Sequence, residues 1–98
     1  MIIVNANLPV KEEKKEEVIK QAETLINASR THEGNISYNL YRDALDDSLI
    51  FIEKWESQEA LQAHMQTPEF LEFGASIQEC VTAPLEIKLF FGEEIKGE

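Results

Sequence analysis

The segment LIFIEKW, Leu49 to Trp55, opens with four successive apolar residues, Leu49, Ile50, Phe51 and Ile52. Extended backbone sends consecutive side chains to opposite faces, so a strand here brings apolar side chains to both faces of its sheet. Such a strand belongs inside a sheet covered on both sides. The rest of the chain has to supply two covers, or one cover and a partner.

The neighbouring pattern supplies one. Ile2, Val4, Ala6 and Leu8 alternate with Ile3, Asn5 and Asn7, the period of a half-buried strand that Pro9 stops. From about Glu12 to Arg30 the repeat becomes three to four residues, through Val18, Ala22 and Leu25 or Ile26 to Ser29, with Lys and Glu on the outer side. Glu33, Gly34 and Asn35 end this helix, Gly34 being suited to the left-handed backbone that follows a helix end. A second strand, Ile36 to Arg42, then turns through Asp43 to Asp47 into Leu49 to Trp55 as an antiparallel hairpin. Ser57 can cap a short helix with Ala60, Leu61, His64 and Met65 inward. Thr67 and Pro68 repeat the start signal for another, whose stripe Phe70, Phe73, Gly74, Ile77 and Val81 runs toward Ala83 and Pro84. Leu85, Ile87, Leu89 and Phe91 alternate with Glu86, Lys88 and Phe90 in a last strand.

The order β-α-β-β-α-α-β predicts an α+β, ferredoxin-like fold, a four-stranded antiparallel sheet with helices on one face. One domain over residues 1–92 is expected, with a charged tail at 93–98. The second face then lacks a cover, and it receives Ile3, Tyr41 and Phe90 as well as alternate apolar positions of the third strand. A second copy stacking its sheet there would cover them, which predicts a homodimer of the dimeric α/β barrel type. At 98 residues a chain also has little core of its own, which favours association.

A formal charge of −10 repels phosphate backbones and anionic headgroups, so neither nucleic acid nor a membrane surface is an expected partner. The only basic run, Lys11 to Lys20, is interleaved with glutamates and reads as a solvated helix face. Cys80 has no second cysteine to pair with and reads as a packing residue; with His32 and His64 as the only histidines, no metal site is expected. With no signal-peptide pattern before the first strand, a cytoplasmic location is the expectation.

Three stretches, EGNISYNLYRD at 33–43, FIEKWESQEALQAHMQTPEF at 51–70 and the closing APLEIKLF, resemble the antibiotic biosynthesis monooxygenase (ABM) family. The resemblance rests on the joint spacing of Gly34, Tyr38, Leu40, Glu53, Trp55, His64, Pro68 and Phe70. It implies a ferredoxin-like dimer with sheets packed face to face and a pocket in each subunit between sheet and helices. It also implies chemistry on a small aromatic molecule without metal or flavin, in which a quinol or polyphenol loses a proton and reduces oxygen directly. Other members degrade haem, with a Trp where this chain has His64, an axial His where it has Gly74 and a first-strand Asn where it has Ala6. The resemblance therefore disfavours haem, and no cofactor is expected.

Among the residues, His64 is the catalytic candidate, the one inward-facing imidazole, with a side chain that titrates near neutrality. Glu53 and Trp55 share a face of the third strand. If that face meets the helices, Glu53 would orient His64 and raise its pKa; if it meets a partner, Glu53 is an interface residue. Tyr38, Phe70 and Phe73 are candidate pocket walls, with Tyr38, Glu53, Trp55, Phe70 and Phe73 together as substrate-binding candidates. Arg42 is expected to pair with Asp43 or Asp46 rather than with substrate, and His32 is expected to be exposed and without a role. The leading reading is a cofactor-independent monooxygenase of a small quinol or polyphenol. The alternatives are an isomerase-like enzyme that processes an autoinducer and a non-catalytic dimer that binds a small molecule.

Overall fold

The computed structural model describes residues 1–97, so the last residue of the tail, Glu98, lies outside the described residues. Strand β1 spans Ile2–Leu8. A single 3₁₀ turn at Glu12–Lys14 leads into helix α1, Lys15–Ser29. Then come β2 (Asn35–Arg42), β3 (Leu49–Trp55), α2 (Gln58–Met65), α3 (Pro68–Ser76) and β4 (Glu86–Phe91). The four strands form one sheet in the order β2-β3-β1-β4, every neighbouring pair antiparallel. This is the ferredoxin-like arrangement, and β3 lies inside the sheet as its doubly apolar sequence requires.

Register decides which side chains meet the helices. Val4 faces Glu53 and Ala6 faces Phe51 across β1 and β3, while Tyr38 faces Glu53 and Leu40 faces Phe51 across β2 and β3. On this face Ile2, Val4, Ala6, Leu8, Leu49, Phe51 and Trp55 are buried against Val18, Ala22 and Leu25 of α1, Leu61 of α2 and Phe73 of α3. The helices do not reach β4. Its Ile87 and Leu89 pair with Ala6 and Val4, and so lie on the helix side, yet they are 55% and 57% exposed. On the opposite face Tyr41 and Phe90 are about half exposed.

Local signals hold the elements in place. The side chains of Ser57 and Thr67 accept from the backbone N–H groups of Ala60 and Phe70, capping α2 and α3, with Pro68 in the first turn of α3. Arg30, at the end of α1, donates through Nε to the Tyr38 carbonyl at 3.1 Å and through Nη2 to Asn39 Oδ1 at 2.8 Å, which ties the helix end to β2. Three expectations need correction. Helix α3 stops at Ser76, because Val81 leaves the helical stripe to form an isolated bridge with Val10. Lys15 does not face water: it is buried, and its Nζ reaches the Asp47 carbonyl at 2.6 Å and Glu12 at 3.1 Å, clamping the β2–β3 hairpin. Arg42 pairs with Asp47 at 2.7 Å and Glu16 at 3.4 Å rather than with Asp43 or Asp46.

Gly34 is the tightest point of the frame. Its φ is +81°, and a Cβ built there would lie 2.5 Å from the Cβ of Ala60 on α2. Its carbonyl also accepts from the N–H of Glu56 at 2.8 Å, so the turn after α1 and the start of α2 are fixed against each other. Gly34→Ala meets a backbone penalty and a clash together. It is expected to destabilise by about 3 kcal/mol, a drop in melting temperature of roughly 12 to 24 °C for a domain this small; calorimetry reads it directly.

Candidate functional site

His64 sits in the last turn of α2, on the face that Leu61 also buries, and is 1% exposed. Aromatic rings surround it: Trp55 at a centroid distance of 4.6 Å, Phe70 at 5.1 Å, and Tyr38 at 5.2 Å. Beside it, between sheet and helices, lies a cavity of about 110 Å³ whose walls include Tyr38, Phe51, Glu53, His64, Phe70 and Phe73. Met65, Ile87 and Leu89 also line it and are partly exposed, so the cavity opens past the uncovered side of β4. Five of the six residues singled out from sequence thus meet at one enclosure. Trp55 is the exception: it is fully buried behind the cavity wall, and its indole N–H donates to Glu53 Oε1 at 3.0 Å.

That hydrogen bond overturns one expectation. The Glu53 face does meet the helices, but the carboxyl bonds to Trp55 and does not orient His64. Burial pushes the Glu53 pKa up to about 7, only partly offset by the indole hydrogen bond, so near neutral pH the side chain is close to half protonated. The His64 pKa goes down, not up. Burial, helped by the adjacent His32 and opposed by Glu69, lowers it to about 4. Burial also raises the Tyr38 hydroxyl well above its usual range, as does the nearby Glu53 charge, so it stays a neutral donor.

The partner of His64 is a residue read from sequence as exposed. His32 is only 15% exposed at its side chain; its Nδ1 lies 2.9 Å from His64 Nδ1, and its Nε2 donates to Glu69 Oε1 at 2.6 Å. His32 falls in the turn held by Gly34, which folds back onto α2 and α3, and Glu69 is in the first turn of α3. The hydrogen bond from His32 holds Glu69 below the usual carboxylate range, so it is ionised. The other nitrogen of His64, Nε2, is buried and has no hydrogen-bond partner. Cys80 is buried elsewhere, with its thiol 3.5 Å from Glu17. Among the described residues no three His, Cys, Asp or Glu side chains are arranged to hold a metal ion.

The profile of the antibiotic biosynthesis monooxygenase family matches residues 1–76. The chain belongs to that family. A relative from Synechocystis, sll1783, whose role is uncharacterized, is 42% identical over 90 residues; these cover 91% of this chain but only 61% of that protein. YcnE of Bacillus subtilis, provisionally named a monooxygenase, is 35% identical over 88 residues, 89% of this chain and 93% of that one. The structure of Rv0793 from Mycobacterium tuberculosis superposes with a TM-score of 0.90 over 98% of both chains at 23% identity, a likeness of fold. The enclosure in which His64, Tyr38 and Glu53 meet lies between the sheet and the helices of this fold. No helix among the described residues is long and apolar enough to cross a membrane.

Proposed function

We propose that this ABM protein oxidises a small, single-ring hydroquinone or related phenol with molecular oxygen, without a cofactor, and that it does so as a homodimer. Family membership and the provisional monooxygenase name of YcnE support a monooxygenase-like function. One observation carries the narrower reading. A buried imidazole with a free Nε2 lines an apolar cavity that also contains a carboxyl group titrating near neutrality. Buried polar atoms without a partner are few, and of the three among the described residues, Gln21 Oε1, Ser29 Oγ and His64 Nε2, only the last belongs to a residue that lines this cavity. The cavity limits the ligand to a single ring: at about 110 Å³ it is smaller than the roughly 150 Å³ that holds benzene, so a hydroquinone would have to extend into the opening beside β4.

The chemistry balances within this site. His64 handles the proton of one ring hydroxyl, and the resulting hydroquinonate passes an electron to oxygen. Recombination forms a carbon–oxygen bond at the ring, and the hydroperoxide loses water to leave a carbonyl. Hydroquinone plus O2 thus gives a hydroxyquinone plus water. Glu53, in its protonated form, and Tyr38 donate hydrogen bonds to oxygens that gain charge along the way. Dimerisation would cover the open sheet face and the exposed apolar residues of β4.

Oxygen uptake on an electrode, with single-ring hydroquinones and catechols, tests the proposal. Uptake above the autoxidation rate, with one water formed and one oxygen atom retained in product per O2, is the expected result. Rates at the autoxidation level across the panel would remove it, and turnover of a hydroxylated non-aromatic substrate without oxygen would replace it with an isomerase. Sedimentation that gives the monomer mass would remove the dimer.

A further inference from the structure

Two nitrogens of His64 differ in what surrounds them, and a chain of contacts running away from the cavity fixes which one holds the proton. Glu69 is an ionised carboxylate and can only accept, so His32 Nε2, 2.6 Å away, bears a hydrogen. With both rings neutral, as at mildly alkaline pH, each imidazole bears only one hydrogen, which leaves His32 Nδ1 as an acceptor. That atom lies 2.9 Å from His64 Nδ1, and a hydrogen bond between them requires the hydrogen to sit on His64. The remaining nitrogen of His64, Nε2, is then a bare lone pair, and among the described residues it is the buried atom without a partner that belongs to a cavity-lining side chain.

We infer that Glu69 and His32 form a relay that sets the tautomer of His64, so that Nε2 begins the reaction as a proton acceptor rather than a donor. Glu69 and His32 are positioning residues in this arrangement. They touch neither the cavity nor the substrate, and their effect reaches the chemistry only through His64. The arrangement follows the logic by which a carboxylate holds an imidazole in the tautomer a base requires, lengthened by one ring.

The inference rests on the proposed role of His64 and sharpens its substrate. A site that opens by accepting a proton needs a ligand that arrives with one, namely a neutral hydroxyarene rather than a phenolate. The chain's charge of −10 works in the same direction, because it disfavours the approach of an anion. When substrate binds, its hydroxyl donates to Nε2 and satisfies the orphan atom. As the proton moves, His64 becomes an imidazolium whose Nδ1–H is already held by His32, with the Glu69 carboxylate beyond it.

The tautomer can be read without substrate, by long-range 1H–15N correlation spectra of the wild-type protein at mildly alkaline pH. His64 is expected to show a protonated Nδ1 and a bare Nε2, and His32 the reverse. A proton on His64 Nε2 in this spectrum overturns the inference whatever the activity. Glu69→Ala, at a side chain that is 30% exposed and able to leave without a core defect, is expected to give His64 a mixed tautomer and to lower kcat about 10-fold. Glu69→Gln, which keeps an acceptor for His32, is expected to restore most of both. An unchanged His64 spectrum in Glu69→Ala would remove Glu69 from the relay. If the spectra are as expected but no hydroquinone is oxidised, the proposed reaction fails while the relay stands.

Discussion

Replacing His64 with phenylalanine is expected to lower kcat for hydroquinone oxidation by about 10²- to 10⁴-fold, the usual contribution of a positioned acid–base group, while the protein stays folded. Phenylalanine keeps the aromatic packing against Trp55, Phe70 and Tyr38. Phenylalanine adds one ring atom beside a cavity that can take it, so the packing cost is about 1.5 kcal/mol or less. In the other direction, the exchange removes the orphaned Nε2, whose burial costs about 1 to 3 kcal/mol. Against this gain, the exchange breaks the 2.9 Å hydrogen bond to His32 Nδ1, worth about 1 kcal/mol, so the melting temperature at neutral pH is expected to stay within a few degrees of wild type as activity falls. That combination separates a functional histidine from a structural one, because a histidine kept for packing would lose stability and spare turnover. Oxygen uptake and calorimetry on the same preparation decide it, and wild-type turnover by the variant would refute the role of His64.

How much of this was legible from residues alone depends on how local each signal is. Strand alternation in Ile2 to Leu8, the caps Ser57 and Thr67 with Pro68, and the positive φ of Gly34 depend on near neighbours, and each appears where the sequence places it. The inward facing of His64, Tyr38, Phe70 and Phe73 was legible from spacing, whereas the arrival of Glu53 at the same enclosure depends on which way β3 faces and was not. Nor were His32 and Glu69. His32 lies in a polar connection with no periodicity, and Glu69 looks like an ordinary acidic residue beside a helix start. Their meeting depends on how the 30–34 turn folds against α2 and α3, a tertiary fact set by the contact of Gly34 with Ala60. A second histidine in a chain with only two was the one available hint. The direction of the His64 shift was missed for a related reason. The sequence puts Glu53 and Trp55 on one face of β3 and leaves open which way that face looks; only the register shows that it meets the helices, and only the Trp55 indole that the carboxyl is engaged away from His64.

The two perturbed groups of the cavity should also leave a signature in stability against pH, with opposite signs. Glu53 titrates at about 7 in the fold against an ordinary 4.5, so between these values the unfolded chain has released a proton that the fold still holds. Stability from this group is full below 4.5 and falls as pH rises to about 7. His64 titrates at about 4 in the fold against 6.5, so the unfolded chain binds a proton that the fold refuses. Its contribution is full above 6.5 and is lost as pH falls to about 4. Each slope is about 1.4 kcal/mol per pH unit, amounting to on the order of 3 kcal/mol over its window. Where the windows overlap, from 4.5 to 6.5, the two slopes cancel and wild-type stability receives almost no net slope from the pair. Single variants uncover what the pair conceals. Glu53→Gln keeps an acceptor for the Trp55 indole and is expected to become steadily more stable as pH rises through this window. His64→Phe is expected to become less stable over the same range, because the Glu53 term is then unopposed. The double variant returns to the wild-type slope, since both terms are gone and the other carboxylates titrate alike in all four proteins. Urea midpoints across the window measure all of this. If Glu53→Gln and His64→Phe had parallel profiles, the two groups could not both be shifted as their burial requires, and the case for an acid and a base facing one cavity would lose its electrostatic half.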